Sequence, residues 1–166
     1  EALGIKLTLS PQQIADCIDE VGIGFMFAPG LHPAMKHAAP IRKEMGIRTA
    51  FNILGPLANP ARAEAQVLGV FSPAHTEFHA SVLRNLGSKK ALVVHGLDGL
   101  DEITTTGPTQ ISELAGGEVK TRKIAPEDNR IPRAKLEDLR CGNSAQENAE
   151  MLRAVLKGEK GPKRDI

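Results

Sequence analysis

The sequence predicts an α/β fold, and three observations carry that prediction. Two short runs rich in β-branched and aliphatic residues, 65–71 and 91–95, suit strands buried on both faces. Between them, 73–86 reads as a helix stopped by Gly87. Strand, helix and strand in that order make one βαβ unit, which implies a parallel pair with a right-handed crossover. From 104 to 124 the pattern changes to shorter runs broken by Gly107-Pro108 and Gly116-Gly117, the mark of antiparallel strands and turns at an edge. The expected architecture is a mainly parallel central sheet flanked by helices, with an antiparallel edge segment. The 166 residues suit one domain of ordinary size, so 1–166 is expected to form a single domain.

The helices carry their own start and stop signals. Ser10-Pro11-Gln12-Gln13 places a capping serine before a proline at the first helical position, with Gln13 able to close a capping box. Ile14, Ile18 and Val21 are expected to form the buried stripe of that helix. A second helix is expected over 33–45, bent at Pro40 and stopped by Gly46. In the third, Phe78, Val82 and Leu86 share one face. The fourth begins at Ser144, three residues ahead of Glu147, and turns Met151, Leu152, Val155 and Leu156 inward before ending near Gly158. A polar loop is expected over 125–133, and the charged residues 158–166 read as a loop.

Composition removes several functional classes. Twenty-one Lys plus Arg stand against twenty Asp plus Glu, a formal charge of +1, so nothing sequence-wide favours nucleic acid or an anionic membrane. Five Phe with no Tyr or Trp leave few platforms for stacking bases. The longest apolar stretches fall far short of the roughly 20 residues of a spanning helix, and no secretory pattern opens the chain, so a cytoplasmic location is expected. Cys17 and Cys141 read as free thiols without a nucleophile signature.

Three stretches could carry chemistry. Gly96-Leu97-Asp98-Gly99-Leu100-Asp101-Glu102 places three carboxylates in a loop directly after a buried parallel strand, where α/β sheets hold ligands. Asp101 and Glu102 are hard oxygen donors suited to Mg²⁺, which keeps waters and takes further oxygens from a substrate phosphate. The same residues read equally as a solvated acidic turn cornered by Asp98-Gly99. Gly30-Leu31-His32-Pro33 leads into a helical stretch with Arg42, which could hold a carboxylate in a bidentate fork or form a surface ion pair. His32 reads as a ligand contact or as a capping or packing residue. Asn52-Ile53-Leu54-Gly55-Pro56-Leu57-Ala58-Asn59-Pro60 is turn-rich and fixes backbone, a rigid wall rather than a proton donor. P-loop, dinucleotide, zinc and Ser/His/Asp signatures are absent from the sequence.

Together, His32-Pro33-Ala34-Met35-Lys36, Ile41-Arg42-Lys43, Gly46-Ile47-Arg48-Thr49, the run from Phe51 to Pro60 and Gly99-Leu100-Asp101-Glu102 resemble the anthranilate phosphoribosyltransferases in content and order, over nearly the whole chain. The stretch Phe51-Asn52-Ile53-Leu54-Gly55-Pro56-Leu57 is the most specific piece. The resemblance implies a nucleoside phosphorylase/phosphoribosyltransferase-like catalytic domain. It implies transfer of phosphoribosyl from phosphoribosyl pyrophosphate (PRPP) to the amine of anthranilate, in tryptophan biosynthesis. It further implies that Arg42 engages the anthranilate carboxylate, that His32 lies near the anthranilate channel, and that Asp101 and Glu102 hold Mg²⁺ on the pyrophosphate. A homodimer is implied for the full-length protein, with neither nucleic acid nor membrane as partner.

The sequence also departs from that family. Its glycine-rich Gly-Thr-Gly-Gly-Asp segment, which serves the pyrophosphate, does not occur here, nor does most of the small N-terminal helical domain. The chain is therefore expected to be a part of the α/β catalytic domain, incomplete at both ends, with little or no activity alone. The competing readings are a pyrimidine nucleoside phosphorylase-like enzyme and a non-catalytic relative that binds nucleic acid. Retention of Asp101-Glu102 and the near-neutral charge argue against the second.

Overall fold

The computed structural model describes residues 2–31, 40–41, 44–46, 54–55 and 57–166. The chain divides into two compact units, Glu1–Leu54 and Gly55–Ile166.

In the first unit, α1 (Pro11–Val21) begins as its sequence dictates. Ser10 Oγ accepts from the Gln13 amide while Gln13 Oε1 accepts from the Ser10 amide, so two otherwise orphaned donors are satisfied reciprocally. Gly22, at φ 86°, ends the helix. The chain then turns back over it at Gly24, where a Cβ would lie 2.7 Å from Ile18 Cγ1 and 3.1 Å from Ile14 Cγ2. That return covers Ile14 but not the rest of the expected stripe: Ile18 and Val21 are 39% and 72% exposed. A one-turn helix, α2 (Ala28–Leu31), follows. Most of the helix expected over 33–45 lies outside the described residues, although Pro40, Ile41, Glu44 and Met45 are helical and Gly46 has a φ of 63°.

The second unit holds the α/β core. β1 (Ala65–Gly69), α3 (Ala74–Asn85) and β2 (Lys90–Gly96) form the expected βαβ unit, with β1 and β2 parallel and Leu68 opposite Val93. β2 then pairs antiparallel with β3 (Thr109–Ala115), and β3 with β4 (Glu118–Ile124), in the order β1-β2-β3-β4. The sheet is mixed, with the antiparallel segment on one side of the parallel pair. Gly116 and Gly117, at φ 59° and 82°, are the two turn residues between β3 and β4, and both need the left-handed region that a tight hairpin of this kind demands.

β2 is buried almost throughout, as its unbroken apolar run requires. The core gathers Leu68, Val70, Ala80, Leu83, Ala91, Val93 and Leu114, with Leu57 and Val119 packed at its margin. Burying a side chain such as Leu83 contributes roughly 1.5–3 kcal/mol. The face that α3 turns to the sheet is a mixed one rather than that of Phe78, Val82 and Leu86: Thr76, His79, Ala80 and Leu83 are buried and Val82 is half-buried, whereas Phe78 and Leu86 are 53% and 63% exposed. Polar groups of β3 reach Thr76 on this face. Ser112 Oγ donates to Thr76 Oγ1 (2.9 Å), Gln110 Nε2 donates to the same atom (2.9 Å), and Thr76 passes its proton to the Pro73 carbonyl (3.0 Å).

The polar segment 125–133 contains a 3-10 turn, Pro126–Asn129, and a second one, Leu136–Leu139, follows. α4 (Ala145–Leu156) starts at Ser144, whose Oγ accepts from the Glu147 amide at 3.1 Å. Of its expected inward residues, Met151 and Val155 are half-buried, but Leu152 and Leu156 are exposed, and Ala149 is the buried one. The tail read as a loop contains a short helix, α5 (Pro162–Asp165), and Lys163 Nζ donates to the Arg140 carbonyl.

Candidate functional site

The two parallel strands end side by side at Gly69-Val70 and His95-Gly96, and the acidic loop leaves from that end. The last rung is closed by side chain as well as backbone. The Val70 amide donates to the Val94 carbonyl (3.0 Å), and His95 Nδ1 donates to the Val70 carbonyl (2.7 Å). A carbonyl can only accept, so Nδ1 carries the hydrogen of this bond. His95 is 6% exposed. Nothing in the sequence singles it out, because a histidine at the end of an apolar run has no partner visible within the run.

Beyond β2 the loop is folded around Asp98. The Gly96 amide donates to the Leu100 carbonyl (2.8 Å), the Gly99 amide to the Gly96 carbonyl (2.9 Å), and the Leu97 amide to the Pro108 carbonyl (2.9 Å). Gly99, at φ 101°, is the expected corner. Asp98 Oδ1 accepts from the Leu100 amide (3.2 Å), and Oδ2 accepts from the hydroxyls of Thr104 (2.5 Å) and Thr106. Burial pushes the Asp98 carboxyl up, but the hydrogen bonds from Thr104, Thr106 and the Leu100 amide outweigh it and hold the group below its ordinary 3.8. Gly96 makes this possible, since a Cβ there would lie 2.5 Å from Asp98 Oδ1 and 3.0 Å from Thr104.

Asp101 and Glu102 follow in the same loop, both exposed. Neither carboxylate forms an ion pair or hydrogen bond among the described residues. The Asp101 backbone lies against Gly69, at the end of β1. Two free, adjacent carboxylates fit a hard cation bound through few protein ligands. Among the described residues no group of three or more His, Cys, Asp or Glu side chains could hold a metal ion; one or two carboxylates, with waters and substrate oxygens, is the protein share that Mg²⁺ usually takes.

His32 and Arg42 lie outside the described residues, as does Asn52. In the turn-rich stretch, Asn59 Oδ1 accepts from the Ala61 amide (3.0 Å), and Leu57 packs on the core. Cys17 and Cys141 are free thiols. Among the described residues, no helix is long and apolar enough to cross a membrane.

This chain is similar to anthranilate phosphoribosyltransferases. The anthranilate phosphoribosyltransferase of Acetivibrio thermocellus is 57% identical over 166 residues, 100% of this chain and 48% of that protein. The crystal structure of the Thermus thermophilus anthranilate phosphoribosyltransferase superposes with a TM-score of 0.88 at 45% identity, covering 99% of this chain and 48% of that one. The Saccharomyces cerevisiae anthranilate phosphoribosyltransferase in complex with PRPP and Mg gives a TM-score of 0.84 at 28% identity, over 99% of this chain and 47% of that one. The same yeast enzyme in complex with 4-fluoroanthranilate gives 0.85 at 26%, over 99% and 48%. The chain thus spans about half the length of the relatives it matches. The glycosyl transferase family, a/b domain, matches residues 1–166, that is, every residue from the capped first helix to the acidic loop and beyond, and the chain belongs to that family.

Proposed function

We propose that the chain supplies the metal-side and acceptor-side residues of an anthranilate phosphoribosyltransferase, which moves phosphoribosyl from PRPP to the anthranilate amine and releases pyrophosphate, in tryptophan biosynthesis. The observation that carries this reading is the pair of exposed carboxylates, Asp101 and Glu102, unpaired among the described residues, at the C-terminal end of the parallel strands in a chain of this family.

The reaction displaces pyrophosphate from ribose C1 by a weakly basic aromatic amine, so charge on the leaving group is the main obstacle. Mg²⁺ held by Asp101 and Glu102 supplies neutralisation of that charge. Asp101 and Glu102 fix where it is supplied, because their loop is tied to the strand ends. Arg42 orients the acceptor through its carboxylate, and His32 contacts anthranilate. Catalysis then rests on positioning and electrostatics, with no dedicated general base among these residues. The Gly-Thr-Gly-Gly-Asp segment expected to cradle pyrophosphate is not among the 166 residues, so the chain alone is expected to show little or no turnover. The proposal includes a cytoplasmic homodimer at full length, with neither nucleic acid nor membrane as partner.

The test is anthranilate-dependent release of pyrophosphate with Mg²⁺, comparing the full-length protein that carries this chain with its Arg42→Ala and Asp101→Ala variants. Arg42→Ala is expected to raise the KM for anthranilate about 10- to 100-fold, the worth of a charge-assisted contact of roughly 1.5–3 kcal/mol. Asp101→Ala is expected to shift the Mg²⁺ dependence instead. A full-length protein inactive with anthranilate would overturn the substrate assignment, and nucleobases would then be the acceptors to screen.

A further inference from the structure

The acidic loop contains three carboxylates, and they are not equivalent. Asp101 and Glu102 have no hydrogen-bond or ion-pair partner among the described residues, while both oxygens of Asp98 are spent inside the loop: Oδ1 on the Leu100 amide, Oδ2 on the Thr104 and Thr106 hydroxyls. Thr104 is 2% exposed and is itself held, since its amide donates to Thr109 Oγ1 (3.0 Å) at the start of β3 and its Oγ1 accepts from the Thr106 amide (3.0 Å). Asp98 therefore ties the end of β2 to the start of β3 across the segment that carries Asp101 and Glu102.

We infer that Asp98 is a positioning residue for the divalent cation: it fixes the backbone from which Asp101 and Glu102 reach the metal, and does not ligate the metal itself. The inference rests on the metal role proposed above for Asp101 and Glu102. Three features make the tie specific. A carboxylate presents enough lone pairs to accept from two hydroxyls and an amide at once, which an amide side chain cannot do with both of its heavy atoms. Gly96 leaves the space that Asp98 Oδ1 occupies, at 2.5 Å from where a Cβ would stand. On the other side Gly69 receives the Asp101 backbone directly, so the loop is clamped between β1 and the Asp98 tie. Loss of groups that orient metal ligands typically costs 10- to 100-fold in metal affinity without removing any ligand.

The experiment compares full-length wild type with Asp98→Ala, Thr106→Val and Asp101→Ala, reading binding of Mn²⁺ as probe by electron paramagnetic resonance, thermal melting, and the Mg²⁺ dependence of pyrophosphate release. Asp98→Ala is expected to weaken Mn²⁺ binding about 10- to 100-fold. Its kcat should recover toward wild type at saturating Mg²⁺, with the KM for anthranilate unchanged. Thr106→Val keeps every carboxylate, so it should shift Mn²⁺ binding in the same direction by a smaller factor. It also remains decisive if Asp98→Ala does not fold. Mn²⁺ affinity unchanged in Thr106→Val, alongside strong loss in Asp98→Ala, would make Asp98 a ligand and overturn the inference. So would wild-type affinity in both variants while Asp101→Ala loses the metal. If Asp101→Ala binds Mn²⁺ as wild type does, the underlying metal assignment is what fails.

Discussion

The backbone carbonyl of Asp101 is seated against the Cα of Gly69, so closely that any side chain at 69 would overlap it. Gly69 closes β1 and pairs with Val94, so it cannot retreat without breaking the parallel rung. Gly69→Ala must therefore displace the Asp101 segment or the strand. The expected result is a loss of roughly 1–3 kcal/mol in stability, typical of overpacking, together with weakened Mn²⁺ binding. Urea unfolding and metal titration on the same sample check it. Stability lost with metal affinity intact would show that the strand yields and the loop does not.

A second prediction concerns the hydroxyl chain beneath α3. Thr76 and Ser112 are fully buried, and Ser112 also bonds Thr121 Oγ1 at 2.8 Å. With Ser112 donating to Thr76 and Thr76 donating to Pro73, Thr121 is the donor to Ser112, and the protons run in one direction along the chain. Thr76→Val preserves shape but leaves the Ser112 hydroxyl without its acceptor, while Gln110 Nε2 keeps its bond to the Pro73 carbonyl (2.8 Å), and should cost about 1–3 kcal/mol. The double variant Thr76→Val/Ser112→Ala should cost less than the sum of the singles, because each single leaves a partner unsatisfied. Additive losses in urea midpoints would mean that the groups act separately.

That network also explains where the sequence was readable and where it was not. Strand, helix and hairpin were legible because each rests on local signals: the apolar run of β2, Ser10 and Ser144 as caps, Gly116-Gly117 as the turn. The buried face of α3 was not, since Thr76 faces inward to accept from Gln110 and Ser112, and that pairing is set by tertiary register, while the buried His79 ring bonds back to the His75 carbonyl of its own helix. Ile18 and Val21 were assigned to a core by periodicity alone, whereas Gly24 brings cover only as far as Ile14 and part of Ile18. In the acidic loop, Asp98-Gly99 was legible as a corner, but its ties to Thr104 and Thr106 cross an aperiodic stretch that carries no spacing rule. Asp101 and Glu102 were legible as candidates because they follow a buried strand; Arg42 and His32 rest on the resemblance and lie outside the described residues.

The α4 cap gives a third prediction. Ser144 Oγ satisfies the Glu147 amide, but Glu147 sends its carboxylate to the Asn143 amide (2.6 Å) rather than back to Ser144, so the box expected from the sequence is shifted by one residue. Ser144→Ala is expected to destabilise by about 1 kcal/mol. Amide hydrogen exchange should report the loss at the first turn of α4, with the sheet protected as before. Faster exchange spread evenly over β2 and β3 would contradict a local role.

The last prediction follows from the Asp98 carboxyl. Its value in the folded chain is lowered below the ordinary 3.8 by Thr104, Thr106 and the Leu100 amide, which together outweigh the upward push of burial. A depressed carboxyl binds fewer protons folded than unfolded, so its contribution to stability is fully present above the unfolded value of 3.8 and is lost as pH falls through the lower folded value. Asp98→Asn carries no titrating group there. The difference in urea midpoint between wild type and Asp98→Asn should hold constant from about pH 6 down to about pH 5, then shrink progressively below about pH 4. A gap that stays constant to the acid limit would mean that the threonine hydroxyls bind the neutral carboxyl as well as the charged one, and that Asp98 ties the loop by hydrogen bonding without help from its charge.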